Sequence, residues 1–357
     1  MRRPGPKGWI TLSAAAFLLT AGAGFFEWPV AYFDGLTDSW LWLNGFRSQW
    51  ITINGYRIHY LVKGPAAGSP VVLLHGLGGR AQNWRALAPW FSKAGYRVYM
   101  PDLLGYGLSD KPRDFSYSVR DEAELVLSFM QLLGIERVDL GGWSMGGWIA
   151  QIIADQYPQR VRHLMLFASA GLHDRPRWSP DLFTPNTPED LDRLNAILSP
   201  DPMAIPGFVA RGILRATEPS AWIIDRAMAA MLSGRDVTNG MLPRLPMPVF
   251  LAWGANDECI PLRQAEMMHQ LVHNSELHVI RNTGHLAPLE CARELGPRAV
   301  AFLKNGQADV RGSADSLSKA VQKLQPGLQP EAILGGRVLP YSDTAKVGES
   351  AAGNGLI

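Results

Sequence analysis

Short apolar runs alternate with longer amphipathic segments over residues 50–305. Apolar runs bounded by turn residues are typical of buried strands, whereas apolar positions three and four residues apart are typical of helices. The predicted strands lie in a hairpin over residues 51–60 and at residues 71–74, 97–100, 138–140, 161–168, 248–253 and 276–280. The predicted helices cover residues 83–94, 118–134, 148–154, 261–272 and 288–303.

Strands that alternate with helices indicate a parallel sheet with right-handed connections. The hairpin turns at Asn54-Gly55, and this dipeptide between two β-rich runs is the strongest short turn signal. The pattern therefore predicts an α/β fold, with a mostly parallel eight-stranded sheet and helices on both faces.

The regular alternation stops between residues 171 and 245, where prolines are frequent and no strand pattern is present. Thr187 followed by Pro188 and two acidic residues is typical of a helix start, and residues 220–232 form a second helical pattern. We interpret residues 171–245 as a helical cap inserted after the sixth strand. It divides the core into residues 50–170 and 246–305.

The N-terminal segment begins with basic residues and continues with an apolar run over residues 9–26. A positive flank before an apolar run is an export pattern, so residues 1–27 are either a cleaved signal peptide or an uncleaved signal anchor. An anchor with this basic flank places everything downstream on the non-cytoplasmic side, and cleavage makes the protein periplasmic or secreted. Residues 28–49 are rich in aromatics and are interpreted as an interfacial linker on a membrane surface; alternatively, the aromatics pack on the folded domain.

Composition narrows the choice of partners. The chain has 357 residues, of which 47% are hydrophobic, and a net charge of +2, so nothing in it suggests a nucleic-acid partner. The two cysteines, Cys259 and Cys291, have no metal-binding spacing, and they are either free thiols or a single disulfide. No cofactor or metal is expected. Residues 306–357 lack periodicity and are predicted to be a disordered tail.

The candidate chemistry centres on Ser144, which lies at a predicted strand–turn–helix junction between Gly142 and Gly146. In a nucleophile elbow the serine hydroxyl stands clear of the sheet, and the flanking positions must be small because the strand and the helix nearly touch. The N-terminus of the following helix favours a developing anion. Ser144 is therefore a candidate nucleophile.

A serine hydroxyl needs a base, and the elbow serine of this fold is followed along the chain by an acid and then a histidine. His285 follows the last predicted strand and is the preferred base, with His173 as the second choice. Asp257 follows the strand before the last one and is the preferred acid, whose role would be to orient His285. Alternatively, Asp257 caps the next helix, and Asp174 is the fallback acid.

The oxyanion hole of such a site uses two backbone N–H groups. Met145, directly after the candidate nucleophile, supplies one. Leu77, in the loop after the third strand, is the best candidate for the other, because Gly78 and Gly79 allow the backbone to approach a substrate. His75 is interpreted as a structural residue that fixes this loop.

Residues from about 50 to 305 resemble an α/β hydrolase with a helical cap. The matching motifs are His75-Gly76-Leu77-Gly78-Gly79, Asp102-Leu103-Leu104-Gly105-Tyr106-Gly107-Leu108-Ser109, Gly142-Trp143-Ser144-Met145-Gly146-Gly147, Trp253-Gly254-Ala255-Asn256-Asp257 and Gly284-His285. A serine at position 144 disfavours the dehalogenases and epoxide hydrolases of this fold, which have aspartate there. Esterases, lipases, C–C bond hydrolases and perhydrolases remain.

The apolar N-terminus and the cap are similar to the membrane-anchored monoacylglycerol lipase branch. This resemblance implies a serine esterase or lipase that cleaves carboxylic (acyl) esters through a Ser-His-Asp triad and an acyl-enzyme intermediate. Its expected substrates are small-molecule esters of the lipid-like or monoacylglycerol type, and its expected partner is a membrane surface. The alternatives are a C–C bond hydrolase of the same fold and a non-catalytic, hydrolase-like binding protein. The C-terminal tail has no counterpart in that branch.

Overall fold

A computed structural model describes residues 25–174 and 176–305. One eight-stranded sheet runs through this part of the chain in the order β1-β2-β4-β3-β5-β6-β7-β8. Its strands are β1 (Arg47–Ile53), β2 (Tyr56–Lys63), β3 (Pro70–Leu74), β4 (Arg97–Pro101), β5 (Val138–Trp143), β6 (Val161–Phe167), β7 (Val249–Gly254) and β8 (Ser275–Ile280).

The α-helices are α1 (Pro29–Leu43), α2 (Ala88–Lys93), α3 (Val119–Leu132), α4 (Met145–Gln156), α5 (Pro188–Leu198), α6 (Gly207–Thr217), α7 (Ala221–Leu232), α8 (Leu262–Leu271), α9 (Ala287–Glu290) and α10 (Ala292–Asn305). Within the part of the chain that the structure describes, no helix is both long enough and apolar enough to cross a membrane.

The sheet is antiparallel only at one edge, where β2 pairs with β1 and with β4. From β4 to β8 all neighbouring strands are parallel, which confirms the predicted fold class. Parallel strands are covered on both faces, and β5 and β7 accordingly consist of buried residues throughout. Because their carboxyl ends meet at one edge, the loops after β3, β5, β7 and β8 converge there.

The insertion between β6 and β7 contains α5, α6 and α7, as a helical cap requires. Thr187 caps α5: its side chain accepts a hydrogen bond from the Asp190 N–H, and the Asp190 carboxylate accepts from the Thr187 N–H. The sequence analysis did not identify α6, whose first residue is Gly207 and whose cap position is Pro206, a weak start signal. The domain boundaries at 171 and 245 remain predictions.

Two predicted helices are each replaced by two shorter ones. Where one helix was predicted over residues 83–94, the structure has a 3₁₀ turn, Ala81–Arg85, followed by α2. The turn and the helix are not continuous, because Pro89 has no backbone N–H to donate to the preceding turn. Residues 288–303 form α9 and α10, with the break at Cys291. The predicted signal segment largely precedes the described residues, and the predicted disordered tail lies outside them.

The segment 28–49, predicted as an interfacial linker, contains helix α1 and the start of β1. One face of α1 contacts the domain: Leu41 is buried, Asp34 pairs with Arg80, and Asp38 accepts a hydrogen bond from Gln82. These positions are spaced three and four residues apart, which places them on the same side of a helix. The aromatics of this segment are mostly exposed and do not form this contact, and the interpretation as an interfacial linker stays a prediction.

Candidate active site

Ser144 lies at the turn between β5 and α4 with φ 57° and ψ −119°. A positive φ is rare for a residue with a side chain and stores backbone strain, which is the geometry of a nucleophile elbow. The Ser144 N–H donates to Phe167 O at 3.0 Å, which ties the turn to the next strand. Ser144 is half-buried, whereas its neighbours Trp143 and Met145 are buried.

The glycines around Ser144 are required by close backbone contacts. A Cβ on Gly142 would overlap the Gly146 carbonyl, and a Cβ on Gly146 would overlap the carbonyl oxygens of Leu74 and His75. Since these obstacles are backbone atoms, they cannot move aside as a flexible side chain does. The strand and the following helix therefore approach each other only because both positions are glycine.

We expect Gly146→Ala to destabilise the fold by at least about 1–3 kcal/mol, the usual cost of overpacking, and so to lower Tm by several degrees. Gly35→Ala is the matched control, since nothing lies within 4 Å of its Cβ position in α1. Alanine there stabilises a helix by about 0.5–1 kcal/mol. Thermal unfolding of both variants is the measurement, and an unchanged Tm in Gly146→Ala would contradict the close-contact argument.

His285 and Asp257 meet at the carboxyl edge of the sheet, after β8 and β7. His285 Nδ1 lies 2.9 Å from Asp257 Oδ2, and each residue is only 4% exposed. The other oxygen, Asp257 Oδ1, accepts from the Ile260 N–H at 2.8 Å, which fixes the carboxylate. The backbone of His285 is held by Leu198 O, which accepts its N–H, and by Trp143 Nε1, which donates to its carbonyl.

The environment of His285 determines its protonation. Burial lowers the pKa of His285, but the Asp257 carboxylate and, to a lesser degree, Cys259 outweigh burial and hold that pKa well above its ordinary value. The sequence analysis did not place Cys259 at the site, because only the folded loop after β7 brings it beside His285. Cys259 and Cys291 are both free thiols, so the disulfide alternative does not hold.

The N–H groups of Leu77 and Met145 donate to no backbone or side-chain acceptor among the described residues. Buried backbone donors are almost always paired, so two unpaired donors that lie beside a half-buried serine are notable. Met145 begins α4, where the first N–H groups have no intrahelical acceptor. The structure thus brings together Ser144, Leu77 and Met145.

Ser144 and Leu77 line two different cavities. The first, here called the methionine cavity, has a volume of about 260 Å³; Met145, Met228 and Met231 line it, together with Cys259. The second, here called the His285 cavity, has a volume of about 620 Å³ and is lined by His285 and by residues of α1, α5 and α7. A ligand at Ser144 can therefore extend in two directions.

Helix α1 contacts the loop that contains Leu77. Arg80 Nη1 donates to Asp34 Oδ2 at 2.9 Å, and Arg80 Nη2 lies 2.5 Å from Asp34 Oδ1, so the pair is bidentate. Asp34 and Val30 of α1 also line the His285 cavity. The sequence analysis missed this role, because the pattern of α1 gives no sign of where the helix packs.

The alternative acid and base line a different cavity from His285. His173 and Asp174 line the methionine cavity, but the Asp174 carboxylate pairs with Arg263 and accepts from Gln264 Nε2 at 3.1 Å. His75 is fully buried; its Nδ1 lies 2.8 Å from Gly76 O and its Nε2 accepts from the Leu103 N–H at 3.0 Å. These bonds fit the structural interpretation of His75.

A second Ser-His-Asp arrangement lies on the antiparallel edge of the sheet. Ser48 Oγ is 2.9 Å from His59 Nε2, and His59 Nδ1 is 2.7 Å from Asp102 Oδ2. Ser48 lies within an edge strand with ordinary backbone geometry and lines none of the cavities described here. Asp102 also accepts from the Leu108 N–H, which suits a role in fixing its own loop.

No cluster of three or more His, Cys, Asp or Glu side chains suited to a metal ion occurs within residues 25–174 and 176–305. The groups described at Ser144 are a hydroxyl, an imidazole paired with a carboxylate, and backbone donors.

Comparison with known proteins gives two kinds of relatives. The chain is 28% identical over 253 residues to 2-hydroxymuconate semialdehyde hydrolase of Pseudomonas sp. (strain CF600), a match that covers 68% of this chain and 89% of the relative. It is 26% identical over 256 residues to Lipase 1 of Psychrobacter immobilis, covering 68% and 79%. A solved membrane phospholipase A, described as a bacterial virulence factor, is 26% identical with a TM-score of 0.71, covering 83% of this chain and 98% of that one.

The family model of the alpha/beta hydrolase fold matches residues 69–291. This range includes the loop of Leu77, the elbow of Ser144, the Asp257 and His285 loops and the helical insertion. The chain belongs to the alpha/beta hydrolase fold family.

Proposed function

We propose that this chain is a serine hydrolase that cleaves carboxylic (acyl) esters, with lipid-like or monoacylglycerol-type esters as substrates. One observation carries the proposal: a strained, half-buried serine lies with two unpaired N–H groups where two cavities meet, and one of these cavities also contains a histidine paired with a buried carboxylate. Hydrolysis of a series of p-nitrophenyl esters from acetate to palmitate tests it.

In the proposed reaction, His285 removes the Ser144 proton as Ser144 Oγ attacks the ester carbonyl. The N–H groups of Leu77 and Met145 stabilise the oxyanion, and each such donor typically contributes about 2.7–4 kcal/mol to transition-state stabilisation. The imidazolium, stabilised by Asp257, then protonates the leaving alcohol, and an acyl-enzyme remains on Ser144. Water activated by His285 releases the acid.

The position of His285 supports an assignment of the two cavities. The histidine protonates the leaving oxygen, so the alcohol must lie on its side of Ser144. His285 lines the 620 Å³ cavity, which therefore receives the alcohol, and the acyl chain extends into the 260 Å³ methionine cavity. Methionine side chains are flexible and suit an apolar chain of variable length. A large alcohol cavity with charged residues such as Asp34 and Lys111 favours polar alcohols such as glycerol derivatives.

We expect Val237→Phe, which adds volume to the methionine cavity, to lower kcat/KM for the longest acyl chains roughly tenfold or more relative to acetate. Ile213→Phe is the matched control, because Ile213 lines the His285 cavity. It should change all p-nitrophenyl esters by a similar factor, since their alcohol part is the same. If Ile213→Phe shortened the preferred acyl chain and Val237→Phe did not, the assignment of the cavities would be reversed.

A C–C bond hydrolase is the second candidate, and the sequence comparisons favour it as strongly as they favour a lipase. The semialdehyde hydrolase of Pseudomonas is 28% identical and Lipase 1 is 26% identical over similar lengths. Ester cleavage is preferred because of the N-terminal export pattern, which does not suit a cytoplasmic catabolic enzyme. Turnover of a vinylogous 1,5-diketone acid, with no turnover of any ester, would reverse this preference.

We propose further that the enzyme acts at a membrane surface. Phe26, Trp28, Trp42 and Leu43 are more than 60% exposed. Phe26 ends the N-terminal apolar run, Trp28 follows shortly after it, and Trp42 and Leu43 lie at the far end of α1. Aromatic side chains are enriched where a protein meets the bilayer interface. The proposed location is a membrane-anchored protein with its catalytic domain on the non-cytoplasmic side, or an exported protein if the N-terminal segment is cleaved.

A further inference from the structure

A groove separate from the two cavities at Ser144 runs between α1 and the helices α2 and α10. Its volume is about 1060 Å³, and it is here called the basic groove. One wall consists of Phe33, Leu36 and Trp40 of α1, all of them at least 45% exposed. Exposed apolar patches of this kind, rimmed by polar residues, mark interaction sites.

The apolar wall belongs to a distinct face of α1. Phe33, Leu36 and Trp40 are three and four residues apart, so they share one side of the helix. Asp34 and Leu41 lie on another side, which is already occupied by Arg80 and the core. On the groove face, Phe33 contacts Phe25 and Trp40 contacts Phe46, and all three groove residues still leave about half of their surface exposed.

The rest of the groove is rich in cations. Lys63, Arg85, Lys93 and Arg293 line it, against the single acid Glu290. Among residues 25–174 and 176–305, no carboxylate lies within 4.0 Å of any of these four cations.

Within the groove, the charges of Lys63 and Lys93 are close enough to interact. Burial, and then Lys93 and Arg47, lower the pKa of Lys63, and burial, and then Arg80, lower the pKa of Arg85. Lys63 Nζ also lies 4.7 Å from the Phe46 ring centroid. A group of neighbouring cations without acidic partners is complementary to an anion, and an anionic ligand would relieve their mutual repulsion.

We propose that the basic groove binds the headgroup of an anionic phospholipid in the bilayer, with the acyl chains against Phe33, Leu36 and Trp40. Two features indicate this occupant. The groove is positively charged beside an apolar wall. Helix α1 also follows the apolar N-terminal run along the chain, so a bilayer that holds this run lies next to the groove. The site is an accessory lipid site. It lies outside the proposed catalytic machinery and does not depend on the proposed reaction.

The test uses the full-length chain in neutral-detergent micelles, titrated with diether-linked phosphatidylglycerol or phosphatidylcholine, neither of which contains a carboxylic ester. We expect phosphatidylglycerol to bind more tightly. Lys93→Gln/Arg293→Gln should weaken its binding roughly 30-fold, about fivefold for each charge removed. The matched control, Arg137→Gln/Lys304→Gln, removes the same charge at exposed positions outside the groove and should retain binding.

Three results would overturn the proposal: equal affinity for the two lipids, equal weakening by the two double variants, or complete displacement of phosphatidylglycerol by an equal concentration of inorganic phosphate, which would identify free phosphate as the ligand. Hydrolysis of p-nitrophenyl butyrate by the same preparations is measured in parallel. Because the groove residues do not touch Ser144 or His285, this activity should be the same in all variants. Its absence from every preparation would count against the proposed function and not against the lipid site.

Discussion

Ser144→Ala is expected to lower kcat/KM for p-nitrophenyl esters by about 10⁴- to 10⁶-fold, to the level that binding and the oxyanion donors alone provide. The reason is that the acyl-enzyme requires an oxygen nucleophile at the apex of the elbow, and alanine leaves His285 with no hydroxyl to deprotonate. The fold should be unaffected, because the Ser144 side chain makes no cap hydrogen bond to the helix that follows. Rates and circular dichroism spectra are compared with those of the wild type.

Ser48→Ala is the matched control for that experiment. Ser48 is hydrogen-bonded to His59, which pairs with Asp102, so it reproduces the hydroxyl–imidazole–carboxylate order of the candidate site. It differs from Ser144 in its relaxed backbone and in lining none of the described cavities. We expect Ser48→Ala to retain full activity. Activity that survived in Ser144→Ala and vanished in Ser48→Ala would refute the assignment of the nucleophile.

Asp257→Asn is expected to lower kcat by about 10⁴-fold while preserving the fold. The Ile260 N–H would keep the amide oxygen as its acceptor and turn the amide N–H₂ toward His285 Nδ1. Nδ1 would then have to accept a hydrogen bond, the proton would lie on Nε2, and His285 could no longer accept the proton of Ser144. Wild-type activity in Asp257→Asn would show that another acid, such as Asp174, orients the base.

The same variant tests the electrostatics of His285 through its pH profile. His285 must be neutral to act as a base, so kcat/KM should fall as the pH drops through its pKa. Because Asp257 holds this pKa well above the ordinary histidine value, the acid limb of the wild type should lie at higher pH than that of an unperturbed histidine. In Asp257→Asn the main group that raises the pKa is lost, and burial, which lowers it, is opposed only by Cys259, so the residual activity should have its acid limb at lower pH. An acid limb that stayed in place would assign the titration to another group.

The sequence predicted the sheet, and it predicted that Asp257 and His285 lie at the same edge of that sheet. Most strands were visible as short apolar runs, but β1 begins at Arg47, before the predicted hairpin, because its first residues are polar. The Asn54-Gly55 turn placed the hairpin, and the glycines around Ser144 placed the elbow. Asp257 and His285 could be chosen because both follow strands whose carboxyl ends must lie at the same edge of a parallel sheet. Helix α1 was missed as a helix, since its aromatics are typical of an interface as well as of a packed segment.

The sequence by itself therefore determined the strand order along the chain, the elbow and the pairing of His285 with Asp257, because periodicity and turn chemistry depend on near neighbours. The sequence analysis did not identify Ser48 as a serine to compare with Ser144, because only the structure places Ser48 beside His59. The tertiary structure alone decided that α1 forms a wall beside Ser144, that two cavities meet there, and that a basic groove lies behind α1. Each of these depends on the packing of residues far apart in the chain, and no local pattern encodes such distances.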